Sequence, residues 1–300
     1  MPDMNKHPEC YVCGTLAPLP LKGYYKRHGL VKCQNCGFVF MEQIPTPAAL
    51  QEHYGMYSYG VNEYVSPITL KSFNLLLDEF EKYRKTNRIL DVGCGRGLFL
   101  MEAHKRGWEA YGTEFSDKAV SICRQGGIRM VKGGLDVNRF EQRDFDVITS
   151  FEVFEHMNTP HQELQSMHQL LRENGLFYCT TPNFNSLLRY YLKADYNIIG
   201  YPEHLSYYTR STLNRVVLKN GFRMREFRST GISITRINTS IKESTEKFVE
   251  ETNADEVLRR NIDKKWYLGL LKKAANWLLT LTNTGLTLKG YYVKKPTTQR

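Results

Sequence analysis

Arg88-Ile89-Leu90-Asp91-Val92-Gly93-Cys94-Gly95-Arg96-Gly97 runs from a short apolar segment straight into three glycines. The apolar part reads as a buried strand, and Leu98 to Arg106 then carries helical spacing up to a stop at Gly107. A glycine turn between strand and helix lets the main chain approach a ligand without a Cβ in the way. It also aims the unpaired N–H groups of the helix start at that ligand. Glu109 to Glu114 is the next strand, and Glu114 stands 17 residues after Gly97. That is close to the roughly 20-residue offset at which a second-strand carboxylate reaches a ribose.

Working outward, strand and helix keep alternating. Ser116-Asp117 caps a helix that ends at Gly126-Gly127, and Arg129 to Lys132 and Phe145 to Ser150 are strands. Thr159-Pro160 opens a helix that Asn174-Gly175 closes before the strand Leu176 to Thr180. Upstream, Leu70, Phe73, Leu77 and Phe80 recur at helical spacing between Pro67 and Lys85. Such βα units imply an α/β fold, a parallel sheet covered by helices on both faces. After a helix at Ser211 to Asn220, Phe222 to Phe227 and Leu286 to Val293 are expected to pair antiparallel at the end of the sheet. A dinucleotide would need a small residue at Leu98, where the helix packs on the strand, and would not welcome the charge of Asp91 beside its pyrophosphate. The ammonium group of an amino-acid tail would.

Leu90-Asp91-Val92-Gly93-Cys94-Gly95-Arg96-Gly97 and Glu114 resemble the first motif and the second-strand acid of the class I S-adenosylmethionine-dependent methyltransferases. The resemblance covers about Pro67 to Lys295. It implies a Rossmann-like seven-stranded sheet of order 3-2-1-4-5-7-6, with the last strand antiparallel. It further implies S-adenosylmethionine as cofactor, held by Asp91, Gly93, Gly95, Gly97 and Glu114, with Ser150 and Phe151 near the methionine moiety. Many relatives place an acid for the adenine amino group where this chain has Gly134; the backbone of Leu135, or Asp136 by a shift, is the substitute.

Two acidic-histidine sets follow strand ends that open into the ligand crevice. Glu152-Val153-Phe154-Glu155-His156 is similar to the Glu-x-x-Glu-His segment of quinone-ring O-methyltransferases, which is associated with a divalent metal. Here Glu152, Glu155 and His156 are the candidate magnesium ligands, with polar capping as the alternative. Glu203-His204-Leu205-Ser206-Tyr207 resembles a segment of deoxysugar C-methyltransferases, which also carry an N-terminal zinc module. His204, oriented by Glu203, is expected to be the general base, and His156 is its competitor.

Cys10-x-x-Cys13 and Cys33-x-x-Cys36 enclose 19 residues, a spacing suited to one structural zinc with a filled tetrahedral shell. Residues 1–47 read as a zinc-ribbon-like module and linker, and residues 48–300 as the methyltransferase domain with a helical insert at about 241–283. Tyr54 and Tyr57 are candidates to close the substrate crevice. Cys94, Cys123 and Cys179 read as packed thiols.

The formal charge of +10 is concentrated at the end of the chain, where residues 257–300 hold ten basic residues against Asp263 alone. That favours a local anionic partner over a uniformly basic nucleic-acid face. Trp266, Leu270, Leu271, Ala274, Trp277 and Leu278 alternate with Lys264, Lys265, Lys272 and Lys273 in an amphipathic helix. Its apolar face is expected either on an anionic bilayer or in the core. No apolar run of about 18 residues or more and no secretory leader pattern occur, so the expected location is the cytoplasm, with contact at the inner face of the cell membrane. The expected reaction is methyl transfer to a small-molecule acceptor, a nucleotide- or lipid-linked sugar. The rivals are a membrane-associated quinol O-methyltransferase and an RNA methyltransferase; against RNA, no Asn-Pro-Pro-Tyr base clamp follows the fourth strand.

Overall fold

Asp146 shows how the central strands are held in place. Fully buried at the start of a strand, its carboxylate accepts hydrogen bonds from Lys85, Thr86 and Asn87 N–H at 2.7 to 2.8 Å and pairs with Arg172. It thereby clamps the entry to the strand that carries the glycine turn. The structure, a computed structural model, describes residues 5–46, 49, 65–231, 233 and 266–296. Pro47, Tyr54, Tyr57, Tyr59, Tyr64, Lys264, Lys265 and the insert before Trp266 lie outside the described residues.

In the N-terminal part, β1 (Asn5–Lys6) pairs with β5 (Gln43–Ile44), and β2 (Leu19–Pro20), β3 (Leu30–Lys32) and β4 (Val39–Met41) form an antiparallel ladder beside the short helix α1 (Tyr25–His28). Helix α2 (Pro67–Phe80) starts at Ser66, whose side chain accepts from Ile68 N–H, with proline in the first turn as the sequence suggested. There follow β6 (Arg88–Val92), α3 (Leu98–Lys105), β7 (Glu109–Glu114), α4 (Asp117–Gln125), β8 (Arg129–Lys132), β9 (Phe145–Phe151), α5 (Pro160–Leu170) and β10 (Leu171–Pro182). Then come α6 (Leu187–Leu192), β11 (Ser206–Tyr207), α7 (Arg210–Lys219), β12 (Phe222–Thr230), α8 (Trp266–Thr282) and β13 (Thr287–Lys294).

The main sheet runs β8-β7-β6-β9-β10-β13-β12. In the order of its own seven strands that is 3-2-1-4-5-7-6, as the resemblance implied. β13 is antiparallel to both neighbours, and the other pairings are parallel. One boundary differs from expectation. Asn174 and Gly175 do not close α5 but form a bulge inside β10, across which the pairing with β9 jumps from Leu171 to Leu176. Asn174 takes φ 57°, and a Cβ at Gly175 would come within 3.0 Å of the Phe145 carbonyl, so the Asn-Gly pair serves the bulge.

Apolar side chains pack on both faces of this sheet. One cluster joins Leu90, Ile148 and Phe177 to Val12, Phe38, Phe40 and Tyr208, and so runs without a break from the sheet into the cysteine-bearing N-terminal part. β11 reinforces that union. It adds to the small sheet beside β4, pairing Ser206 with Phe40 and Tyr207 with Val39, from more than 160 residues away in sequence.

Candidate active site

The glycine turn is shaped by what packs against it. Gly93, Gly95 and Gly97 all take positive φ. A Cβ on Gly93 would lie 2.8 Å from Val153 Cγ2, and one on Gly97 2.6 Å from Cys123 Sγ, so neither position has room for a side chain. Glu114, at the end of β7, accepts hydrogen bonds from Gly95 N–H at 3.0 Å, Phe115 N–H at 2.8 Å and Ser116 N–H at 3.0 Å. Its carboxylate therefore ties the turn to the start of α4, and its remaining lone pairs can accept from a ligand. Asp91 is buried behind the turn. Burial pushes its carboxyl up to about 7, in spite of the hydrogen bond it accepts from Thr149 Oγ1 at 2.8 Å.

A cleft of about 390 Å³ opens at these strand ends, walled by Gly93, Glu114, Leu135, Phe151, Glu152, Val153, His156 and Asn158 among others. Of the residues expected to hold the cofactor, Gly93, Glu114, Leu135 and Phe151 line it. Asp91, Gly95, Gly97 and Ser150 do not: they support the wall from behind, and Ser150 is fully buried within β9. Phe151 also packs among Phe73, Phe99 and Tyr178. Sequence reasoning missed Phe115. It is exposed, lines the cleft and stands 3.6 Å from where a Cβ of Gly134 would be, across from Leu135. The two side chains suit the faces of a flat ring, and the available signal was an aromatic directly after the second-strand acid. Asn158 and Glu163 also line the cleft, and Glu163 Oε2 is buried with no hydrogen-bond partner among the described residues. Burial raises the Glu163 carboxyl.

The two acidic-histidine sets meet in space. His156 and His204 lie edge to face with ring centroids 4.9 Å apart, and Glu155 Oε1 is 3.9 Å from His156 Nε2. One ligand atom from each of Glu155, His156 and His204 falls within 4.8 Å of the others. Glu152 is not in this group: with φ 52° it turns to the cleft wall, so the set Glu152, Glu155, His156 expected from sequence is replaced by one that takes in His204. His156 lines the cleft, whereas His204 and Glu203 are not among its lining residues. The Glu203 main-chain carbonyl accepts from His156 Nδ1 at 2.6 Å, and the Ile198 carbonyl accepts from His204 Nδ1 at 2.6 Å. Burial and the neighbouring His204 lower His156 to about 4, which keeps its ring neutral near pH 7. Glu155 is raised by burial and by Glu152, while Thr181 Oγ1 donates to it at 2.8 Å.

Residues 66–226 match a family model described as a methyltransferase domain, which is more than half of the chain. The chain belongs to this methyltransferase domain family. Its glycine turn, second-strand acid and strand order are those of the S-adenosylmethionine-dependent class I enzymes. Among solved structures, an S-adenosylmethionine-dependent methyltransferase from Archaeoglobus fulgidus matches with TM-score 0.51 and 18% identity, over 76% of this chain and 93% of that one. Geranyl diphosphate C-methyltransferase from Streptomyces coelicolor, solved with Mg2+, geranyl diphosphate and S-adenosyl-L-homocysteine, matches with TM-score 0.50 and 14% identity, over 75% and 78%. Curated relatives include ubiquinone biosynthesis O-methyltransferases from Azoarcus sp., 30% identical over 33% of this chain, and Ruegeria sp., 31% identical over 36%. Those alignments span 45% and 48% of the relatives, less than half their length.

The methyltransferase domain meets the cysteine cluster at the segment that holds His204. Cys10, Cys13, Cys33 and Cys36 bring their sulfurs within 4.8 Å of one another, with Cys10 to Cys36 at 3.6 Å and Cys13 to Cys33 at 3.5 Å. Four sulfurs each about 2.3 Å from one zinc would stand a little under 4 Å apart, so the donor set fits a tetrahedral ion. Tyr11, inside the first Cys-x-x-Cys turn, shares a 2.5 Å hydrogen bond with Ser206 Oγ and donates to the Leu205 carbonyl at 3.4 Å. Leu205 N–H in turn donates to the Glu155 carbonyl at 2.7 Å.

Proposed function

We propose that the protein transfers a methyl group from S-adenosylmethionine to an oxygen or carbon of a polyhydroxylated small molecule, a nucleotide- or lipid-linked sugar. S-adenosylmethionine supplies an electrophilic methyl on a sulfonium. Glu114 accepts from the ribose hydroxyls, and Phe115 and Leu135 hold the adenine between them. Glu163 takes the adenine amino group in place of the acid absent at Gly134: α5, which carries it, packs against the turn Val137–Arg139 beyond Leu135. The proton leaving the acceptor passes to His156, with His204 behind it. The observation that carries this reading is His156 itself, a neutral imidazole on the cleft wall fixed at Nδ1 by the Glu203 carbonyl. Asn158 on the same wall brings an amide, able to donate and accept, beside an acceptor hydroxyl. Alignment of nucleophile, methyl and sulfur supplies much of the acceleration. Four thiolates hold a structural zinc.

A second reading, quinol O-methylation, is favoured by the named relatives and by the Glu155, His156, His204 group, which suits a divalent ion bound through nitrogen and oxygen. Transfer of labelled methyl to nucleotide-linked hexoses and to catechol or quinol acceptors separates the two. The sugar reading expects hexose methylation that resists a mild chelator treatment which leaves the four-thiolate zinc in place, as checked by metal content, a loss of 10²-fold or more in turnover for His156→Ala with cofactor affinity kept, and a raised acceptor KM for Asn158→Ala. Methylation of quinols alone, abolished by chelator, would overturn it.

A further inference from the structure

Helix α8 is mounted inside out. On one side Asn276 Oδ1 accepts from Gly231 N–H at 3.1 Å, Thr280 Oγ1 exchanges hydrogen bonds with the Ser229 main chain at 3.0 and 3.1 Å, and Leu279 is buried. This mostly polar side faces β12 and the body of the protein. The opposite side carries Tyr267, Leu270, Leu271, Trp277, Leu278 and Leu281, all exposed, with Leu271 at 62% and Trp277 at 65%. At 100° per residue these six fall in one stripe about 21 Å long. The amphipathic pattern visible in the sequence is thus real, but its apolar face does not enter the core.

α6 also exposes Leu187, Tyr190 and Tyr191, and a shallow apolar depression lined by Leu187, Tyr191, Leu279 and Leu286 lies between the two helices on the Leu279 side of α8, away from the stripe. Leu187 N–H donates to the Thr284 carbonyl at 3.1 Å, fixing one helix against the end of the other. An exposed apolar surface of this extent marks an interaction site. Its surroundings select the partner. Lys273 stands exposed at the edge of the stripe and Lys272 exposed on the far side of the helix, and from Lys264 to Arg300 the chain contains no acidic residue. Leucines with tryptophan and tyrosine on one face, in a stretch of sequence that carries lysines and no carboxylate, match the interfacial zone of an anionic bilayer. No described helix is long and apolar enough to cross a membrane, so the contact lies in the plane of the surface.

We propose that the exposed stripe of α8 forms an in-plane docking surface for anionic phospholipid. The stripe enters the boundary between headgroups and chains, and Lys273 pairs with a lipid phosphate. The surface is independent of which acceptor the protein methylates.

Flotation of the full-length protein with phosphatidylcholine vesicles, with and without phosphatidylglycerol, tests this. Binding is expected only with the anionic lipid and should weaken as salt rises. Lys273→Gln should lower vesicle affinity by about fivefold. Leu271→Glu with Leu278→Glu should abolish it, and unchanged S-adenosylmethionine affinity would show that the variant is folded. In the unaltered sequence, brominated lipid should quench tryptophan emission, and Trp277→Phe should remove much of that quenching. No vesicle binding together with a dimer that the double Leu→Glu variant dissociates would overturn the proposal in favour of a second copy of the chain. No binding by a monomer, or binding that the double Leu→Glu variant retains, would overturn it as well.

Discussion

Loss of the zinc should silence the acceptor side of the cleft while leaving the cofactor side nearly intact. The route is short: the Cys10 to Cys13 turn carries Tyr11, Tyr11 holds Ser206 and Leu205, and Leu205 N–H holds the carbonyl of Glu155, the neighbour of His156. Ser206 Oγ is buried and also donates to the Met157 carbonyl at 3.1 Å, so it depends on the Tyr11 hydroxyl as its second partner. Tyr11→Phe deletes one neutral hydrogen bond and leaves a buried hydroxyl with one partner fewer, together about 2 kcal/mol. If the ordered segment is the one that turns over, kcat/KM falls roughly thirtyfold. Removing the ion does more, because a four-thiolate zinc contributes on the order of 10 kcal/mol to the folding of a small module. Gly93, Glu114, Phe115 and Leu135 lie on β6, β7 and the loops after β7 and β8, away from that route. The assay is methyl transfer and calorimetric cofactor affinity, side by side, before and after chelation and for Tyr11→Phe. Turnover that survives zinc removal, or cofactor affinity that drops in step with turnover, would refute the reasoning.

Glu114→Ala should weaken S-adenosylmethionine binding by about 1 to 3 kcal/mol by calorimetry, since charge-assisted hydrogen bonds to the ribose are lost and three main-chain N–H groups lose their acceptor. Asp91 gives a pH signature. Its folded pKa of about 7 lies above the ordinary carboxyl value of about 4, so the folded state holds the extra proton. Stability of the cofactor-free protein should therefore be highest below about pH 4 as far as this group is concerned and fall by a few kcal/mol as pH rises to about 7. Denaturant titrations across that range should show the slope, and Asp91→Asn should flatten it.

What the sequence disclosed was local or periodic. The glycine turn, Glu114 and the alternation of strands and helices were legible because each leaves its mark within a few residues, whereas the seven-strand order came from the resemblance to the class I methyltransferases. The Cys-x-x-Cys pairs were legible for the same reason. What stayed hidden depends on contacts between distant segments: β11 joining β4, His204 beside His156, and Glu155 rather than Glu152 completing that group. Whether Ser150 faced the cleft or the core turned on strand orientation, which alternates with every residue and which an apolar run does not display. The helix that became α8 was found from its periodicity. Which way its stripe faces was set by Asn276 and Thr280, whose bonds to Gly231 and Ser229 turn the polar side inward.

The central claim is that the cleft beneath the glycine turn is a site for S-adenosylmethionine, and a calorimetric titration of the purified protein tests it most directly. Saturable one-to-one binding of S-adenosylmethionine, competition by S-adenosylhomocysteine, indifference to NAD, and an affinity lowered about 5- to 160-fold in Glu114→Ala are the expected results. Binding of NAD with no heat from S-adenosylmethionine would contradict it.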